Sequence, residues 1–163
     1  MPSFEGDLSA PAGRFAIVAA KFNSEIVDAL LAGALDGFSR HRVPTDRIDV
    51  IRVPGAFEIP LVAQQLGKSG KYAAIVCLGA VIKGDTDHYE YVCGQAASGI
   101  QQVQLQTGVP CGFGLLTVGT MEQALDRVKG GSKRDTGRQA AEAALAALAV
   151  RNRLPATRGE ARL

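Results

Sequence analysis

Short apolar runs alternate with helical patterns along the whole chain, and this alternation constrains the fold more than any other feature. Residues 14–20 (RFAIVAA) read as a first strand. Val27, Leu31, Ala34 and Phe38 then fall on one face of a helix over 24–41. A second strand is expected over 48–53, and Pro60 suits the first position of a second helix running towards Gly67. Residues 72–78 (YAAIVCL) read as a buried third strand, 92–105 as a third helix and 112–118 (GFGLLTV) as a fourth strand. Two closing helices are expected over 121–128 and the alanine-rich 138–150.

Four β–α units in series with short connections call for a parallel sheet covered by helices on both faces. The expected fold class is therefore α/β, a three-layer flavodoxin-like sandwich around a four-stranded parallel sheet. At 163 residues one core suffices. The expected organisation is a flexible N-terminal segment over 1–13, one domain over 14–150 and a basic C-terminal tail over 151–163. A content of 47% hydrophobic and 21% charged residues is that of a soluble globular protein, and no apolar run is long enough to span a bilayer. The first residues hold neither a basic nor an apolar export signal, which makes a cytoplasmic location the expectation. With a net charge of +2 and no basic helix face interleaved with aromatics, nucleic-acid binding is not expected. Cys77, Cys93 and Cys111 are odd in number and sit in apolar stretches, as buried reduced thiols do. With only His41 and His88 besides, no metal centre is expected.

The chemistry gathers in one segment, Gly79 to Glu90 (GAVIKGDTDHYE), which joins the third strand to the third helix. Unpaired N–H groups and the positive end of a helix dipole point there, which suits a phosphate. Asp85, Thr86 or Asp87 could cap the helix, and the Thr86 hydroxyl could also bond a phosphate oxygen. The same dipole favours a neutral imidazole, so a histidine on this first turn is suited to proton transfer. A plain helix cap would leave the same Gly-Asp-Thr-Asp signature. A nucleotide-binding P-loop is excluded, because Asp85 stands where that loop needs a lysine. In a parallel sheet, ligands bind beyond the carboxyl ends of the strands. Phe22-Asn23 and Gly55-Ala56-Phe57-Glu58 follow the first two strands, so three loops meet on one edge. Singly, Phe22 could be core, Asn23 a cap and Pro54-Gly55 a turn, while His41 reads as a solvated helix-end residue. Together they offer an aromatic face, an amide, a carboxylate and an anion site, suited to a flat polar heterocycle with a polyol arm and a phosphorylated partner.

Lys21-Phe22-Asn23, Pro54 to Glu58, Gly79 to Val92, Phe113 to Thr117 and Glu122 to Arg127 together resemble the 6,7-dimethyl-8-ribityllumazine synthase family. The similarity runs from Arg14 to Val150, in the family's order and spacing. It implies a penultimate step of riboflavin biosynthesis: condensation of 5-amino-6-(D-ribitylamino)uracil with 3,4-dihydroxy-2-butanone 4-phosphate, without metal or organic cofactor. Carried over by position, Phe22 stacks on the pyrimidine and Asn23 helps fix it. Ala56, Phe57 and Glu58 line the ribityl arm, Gly55 is a further substrate-binding residue, and the backbone of Val81, Ile82 and Lys83 reads the uracil edge. Gly84, Asp85 and Thr86 hold the phosphate with Arg127, and His88 shuttles protons. Phe113 starts its strand at the edge opposite the site, so if it lines a pocket that pocket belongs to a neighbouring copy. The resemblance implies a homopentamer, with decamers or icosahedral shells in some members. A lumazine- or flavin-binding carrier and a shell-forming homologue of reduced activity are the alternative functions.

One segment departs from the family pattern. Where an Asn-Lys-Gly usually precedes the last helix, this chain reads Gly131-Ser132-Lys133-Arg134-Asp135-Thr136-Gly137-Arg138, about one residue longer. Thr136 stands at the lysine's place, and Lys133, Arg134 or Arg138 could substitute.

Overall fold

The computed structural model describes residues 1–157. Four parallel strands, β1 (Phe15–Ala20), β2 (Ile48–Val53), β3 (Ala74–Ile82) and β4 (Cys111–Val118), lie in the order β2-β1-β3-β4. Phe15 is in register with both Ile48 and Ala74, and Ile75 with Cys111. β1 is central and covered on both faces, so it must be apolar throughout, and it is buried at every residue. β2 lies at an edge, with Val50 and Arg52 exposed, Ile48, Asp49 and Ile51 half-buried and Val53 buried.

Five helices complete the layers: α1 (Ser24–Arg40), α2 (Ile59–Lys68), α3 (His88–Thr107), α4 (Met121–Leu125) and α5 (Thr136–Arg153). The period-two alternation of β1 divides the core. Phe15, Ile17 and Ala19 pack with Leu30 and Phe38 of α1 and with Leu145 of α5. Ala16, Val18 and Ala20 pack with Ile59 of α2 and Ile100 of α3. The result is the expected three-layer α/β sandwich.

Two boundaries next to the site differ from the sequence reading; elsewhere β3 starts at Ala74 rather than 72, α4 stops at Leu125 rather than 128, and α5 runs over Thr136–Arg153 rather than 138–150. β3 continues to Ile82 rather than stopping at residue 78, because Gly79 to Ile82 pair with Leu115 to Val118. Gly79 looks like a break in the sequence, but here it allows close approach: a Cβ would meet Leu115 Cδ1 at 2.8 Å. α3 starts at His88, four residues before the apolar pattern that signalled it. At the closing helices the caps set the limits. The Thr120 hydroxyl accepts from Gln123 N at 3.1 Å, and the Asp135 carboxylate accepts from Arg138 N at 3.0 Å.

Residues 1–13 form no regular element. Leu8 packs on the core side shared by α1 and α5, Gly6 lies against the Ala146 backbone, and the Arg153 guanidinium sits 4.0 Å from the Phe4 ring centroid. The tail read over 151–163 begins as the last turn of α5, and its residues 158–163 lie outside the described residues.

The amino edge of the sheet is tied by Asp49. Its carboxylate accepts from Tyr72 Oη at 2.6 Å and Arg14 at 2.8 Å, with Lys71 Nζ at 3.3 Å. The Tyr72 hydrogen bond, then Lys71 and Arg14, hold this carboxyl below its ordinary 3.8. A depressed folded value means that the unfolded chain binds the proton first. The contribution is thus intact above pH 3.8 and is lost as pH falls through the lower folded value. Thermal midpoints measured from pH 5 to pH 2 are expected to fall less steeply for Asp49→Asn than for the wild type; parallel curves would exclude this role.

Candidate active site

The carboxyl edge of the sheet is shaped by where each strand lets go. β1 ends with the chain swinging towards β2: Lys21 N donates to Val53 O (2.8 Å) and Phe22 N to Pro54 O (3.0 Å). The Phe22 ring is left 72% exposed, an unusual position for an aromatic. Asn23 follows in the left-handed region (φ 57, ψ 48) and starts α1 without a side-chain cap; its Nδ2 donates instead to Ala80 O at 2.8 Å. β2 runs into Pro54-Gly55 and a single 3₁₀ turn over Ala56–Glu58. Glu58 Oε2 accepts the Gly55 N–H at 3.0 Å, which fixes the carboxylate over this loop. β3 overhangs β1, and the exposed residues Lys83 to Asp87 then lead to His88, the first residue of α3. Of the three cap candidates, Thr86 makes the contact, its Oγ1 accepting from His88 N at 3.4 Å.

These loops enclose a cavity of about 670 Å³, within the range of small-molecule sites. Phe22, Gly55, Ala56, Phe57, Glu58, Val81, Ile82, Gly84, Thr86 and His88 line it. Pro54, Ala80, Tyr89, Tyr91 and Val92 line it too; they lie in the segments that carry the resemblance, which assigned them no binding role. The tyrosines follow from the early start of α3, which turns its first two turns into cavity wall. Burial, the largest effect, pushes the Tyr89 phenol up and keeps it protonated.

Asn23, Lys83, Asp85, Phe113 and Arg127 are not among the lining residues. The Lys83 N–H completes the β3–β4 ladder on Val118 O at 2.9 Å, and Asp85 is exposed in the loop. Arg127 donates to Gln123 O at 2.9 Å, one turn back in its own helical segment. Phe113 is in register with Cys77 and 47% exposed on β4. At about 3.3 Å per residue it stands roughly 16 Å from the carboxyl end of that strand.

A family model described as 6,7-dimethyl-8-ribityllumazine synthase matches residues 12–152, from just before β1 into the last turn of α5. The chain belongs to the lumazine synthase family. Membership assigns it to riboflavin biosynthesis, among enzymes that process small molecules and generally oligomerise.

In this chain the segment over 131–138 that precedes α5 and forms its start folds back on α4. Lys133 N and Arg134 N both donate to Asp126 O (2.8 and 3.3 Å), and Ser132 Oγ donates to Asp126 Oδ1 (2.9 Å). The Thr136 hydroxyl is buried without a partner. Arg138 is engaged by Glu142 at 3.3 Å, and His41 Nε2 lies 3.7 Å from the same carboxylate. Lys133 and Arg134 are exposed, and among the described residues their side chains pair with no carboxylate.

The cysteines play no part in the cavity. Cys77 and Cys111 are buried together; their mutual hydrogen bond and then burial push the Cys77 thiol well up, which keeps it protonated and unreactive. Among the described residues no three His, Cys, Asp or Glu side chains form a metal-ligand group, and no helix is long and apolar enough to cross a membrane.

Proposed function

We propose that this chain condenses 5-amino-6-(D-ribitylamino)uracil with 3,4-dihydroxy-2-butanone 4-phosphate to give 6,7-dimethyl-8-ribityllumazine, phosphate and water. One observation carries the reading: an exposed aromatic ring, a pinned carboxylate, a glycine-containing loop before a helix and a histidine converge on one cavity in a family member.

Phe22 stacks on the pyrimidine, whose polar edge is met by the backbone of Val81, Ile82 and Lys83. Gly55, Ala56 and Phe57 flank the ribityl arm, and Glu58 accepts from its hydroxyls. The phosphate sits over the N-terminus of α3, held by the backbone of Gly84 and Asp85 and by the Thr86 hydroxyl. His88 accepts and returns protons as the 5-amino group forms an imine with the ketone, as phosphate leaves, and as the ribitylamino nitrogen closes the ring.

Phe113 and Arg127 lie off the cavity of their own chain and act in a neighbour's. A second feature supports such assembly. No charged residue occurs from Tyr91 to Met121, yet Tyr91, Gln95, Ser98, Gln102 and Leu105 of α3 and Phe113 and Thr117 of β4 are exposed. Uncharged surface on adjacent elements is what a subunit interface leaves bare in the isolated chain. A closed ring of five copies satisfies it, and sedimentation is expected to give a pentamer or a multiple of one.

Mixing purified protein with both substrates and following lumazine absorbance tests the activity. Turnover is expected only when both are present. Tight pyrimidine binding with no lumazine formed would make the chain a carrier instead.

A further inference from the structure

We propose that Asn23 is a positioning residue, a side-chain rung that replaces the missing end of β1 and holds both walls of the pyrimidine site. The proposal rests on the reading above, and it replaces the direct pyrimidine contact that the family resemblance implies for Asn23.

The register shows what is missing. β1 pairs with β3 from Phe15 opposite Ala74 to Ala19 opposite Leu78, and there the pairing stops. β3 continues to Ile82 along β4 alone, so its other edge is bare from Ala80 onwards. In a parallel ladder alternate residues face the same neighbour. Lys83 N faces β4, so the polar groups of Ala80 and Ile82 face β1. Were β1 to run on, the N–H of residue 22 would meet the Ala80 carbonyl. That N–H is instead spent on Pro54 O at 3.0 Å, because the chain has turned towards β2. An amide from 57 residues away closes the gap: Asn23 Nδ2 reaches Ala80 O at 2.8 Å.

The backbone is set for this task. Asn23 stands where a helix N-cap would, but its side chain makes no capping bond, and it occupies the left-handed region at φ 57. Few side chains tolerate that region, and asparagine is among those that do. The turn and the hydrogen bond are therefore one device. It throws the Phe22 ring out over the cavity, and it satisfies the Ala80 carbonyl while leaving Ile82 unpaired for a ligand.

A direct ligand contact and a positioning role predict different responses to substitution. Asn23→Asp keeps the size and the left-handed tolerance but turns an oxygen towards the Ala80 carbonyl. Asn23→Gly adopts the backbone without strain and deletes only the amide. Relative to wild type, Asn23→Gly is expected to raise KM for the pyrimidine about tenfold, near the upper effect of one lost hydrogen bond. Asn23→Asp is expected to do worse. KM for the phosphorylated substrate should change less than about twofold and kcat little, the pattern of lost ground-state positioning. Hydrogen exchange on the ligand-free protein supplies a second readout: the amides of Lys21 and Phe22 should exchange faster in Asn23→Asp, while the middle of α5 should not. Wild-type pyrimidine KM in Asn23→Asp, or unchanged exchange at Lys21 and Phe22, overturns the proposal. Should the wild type form no lumazine at all, the enzymatic reading fails by itself, and the exchange measurement still decides the role of Asn23.

Discussion

Replacing His88 with alanine is expected to lower kcat by about 10²- to 10⁴-fold, the usual contribution of a positioned acid–base group, with KM for either substrate changed little. His88 lines the cavity as the first residue of α3, directly after the loop that carries Gly84 and Thr86. It is the only histidine there, because His41 faces Glu142 beyond the far end of α1. Activity is not expected to vanish. Holding two reactive molecules in register can supply up to ~7–11 kcal/mol, and in the proposed function that arrangement is assigned to Phe22, Glu58 and the Gly84 to Thr86 loop rather than to the imidazole. Single-turnover measurements separate the two contributions. An unchanged chemical rate in His88→Ala would mean that solvent or substrate phosphate moves the protons.

The largest stability effect is expected far from the cavity, where α1 crosses α5. Gly137, one residue into α5, is buried with its Cα against the backbone of Leu30, and a Cβ there would overlap the Leu30 carbonyl oxygen. Gly37 of α1 faces the same helix: its missing Cβ would lie 3.1 Å from Arg138 O and 3.2 Å from Ala141 Cβ. The obstacle at Gly137 is main chain, which cannot rotate away as a side-chain tip can, so one helix must shift. Gly137→Ala is expected to cost about 3 kcal/mol, at the upper end for overpacking. For a domain of this size that lowers the thermal midpoint by roughly 6–12 °C. A midpoint within two degrees of wild type by scanning calorimetry would show that the helices part at little cost.

Strand and helix order, the parallel sheet and its two helical layers could all be read from alternating patterns, because β1 and β3 are central strands and advertise themselves as unbroken apolar runs. The end of β3 could not. Gly79 reads as a stop in isolation, and only the β4 ladder shows that the chain continues to Ile82. The start of α3 was hidden for a related reason: its first turn is held by the Thr86 contact and borders a cavity, so it lacks the apolar stripe that marks a packed helix.

The site divides along the same line. Phe22, Glu58 and His88 were legible because residue types with chemistry fall next to strand ends, and strand ends meet. Tyr89 and Tyr91 were concealed by the late placing of α3. For Asn23 the residue was found but not its partner, since a bond to Ala80 depends on β1 stopping short of β3. The resemblance to lumazine synthases named Phe113 and Arg127, and a single chain leaves them outside its own cavity. The uncharged stretch from Tyr91 to Met121, on which the proposed assembly also rests, is visible in composition once charge is followed along the chain.

A crystal structure with an unreactive ribitylaminopyrimidine and inorganic phosphate bears most directly on the claim that the carboxyl edge of the sheet seats both reactants beside His88. The pyrimidine is expected flat against the Phe22 ring with its polyol towards Glu58, and the phosphate over Gly84 to Thr86 within reach of the imidazole. A pyrimidine bound elsewhere, or an imidazole turned to solvent with the cavity filled, would contradict the account.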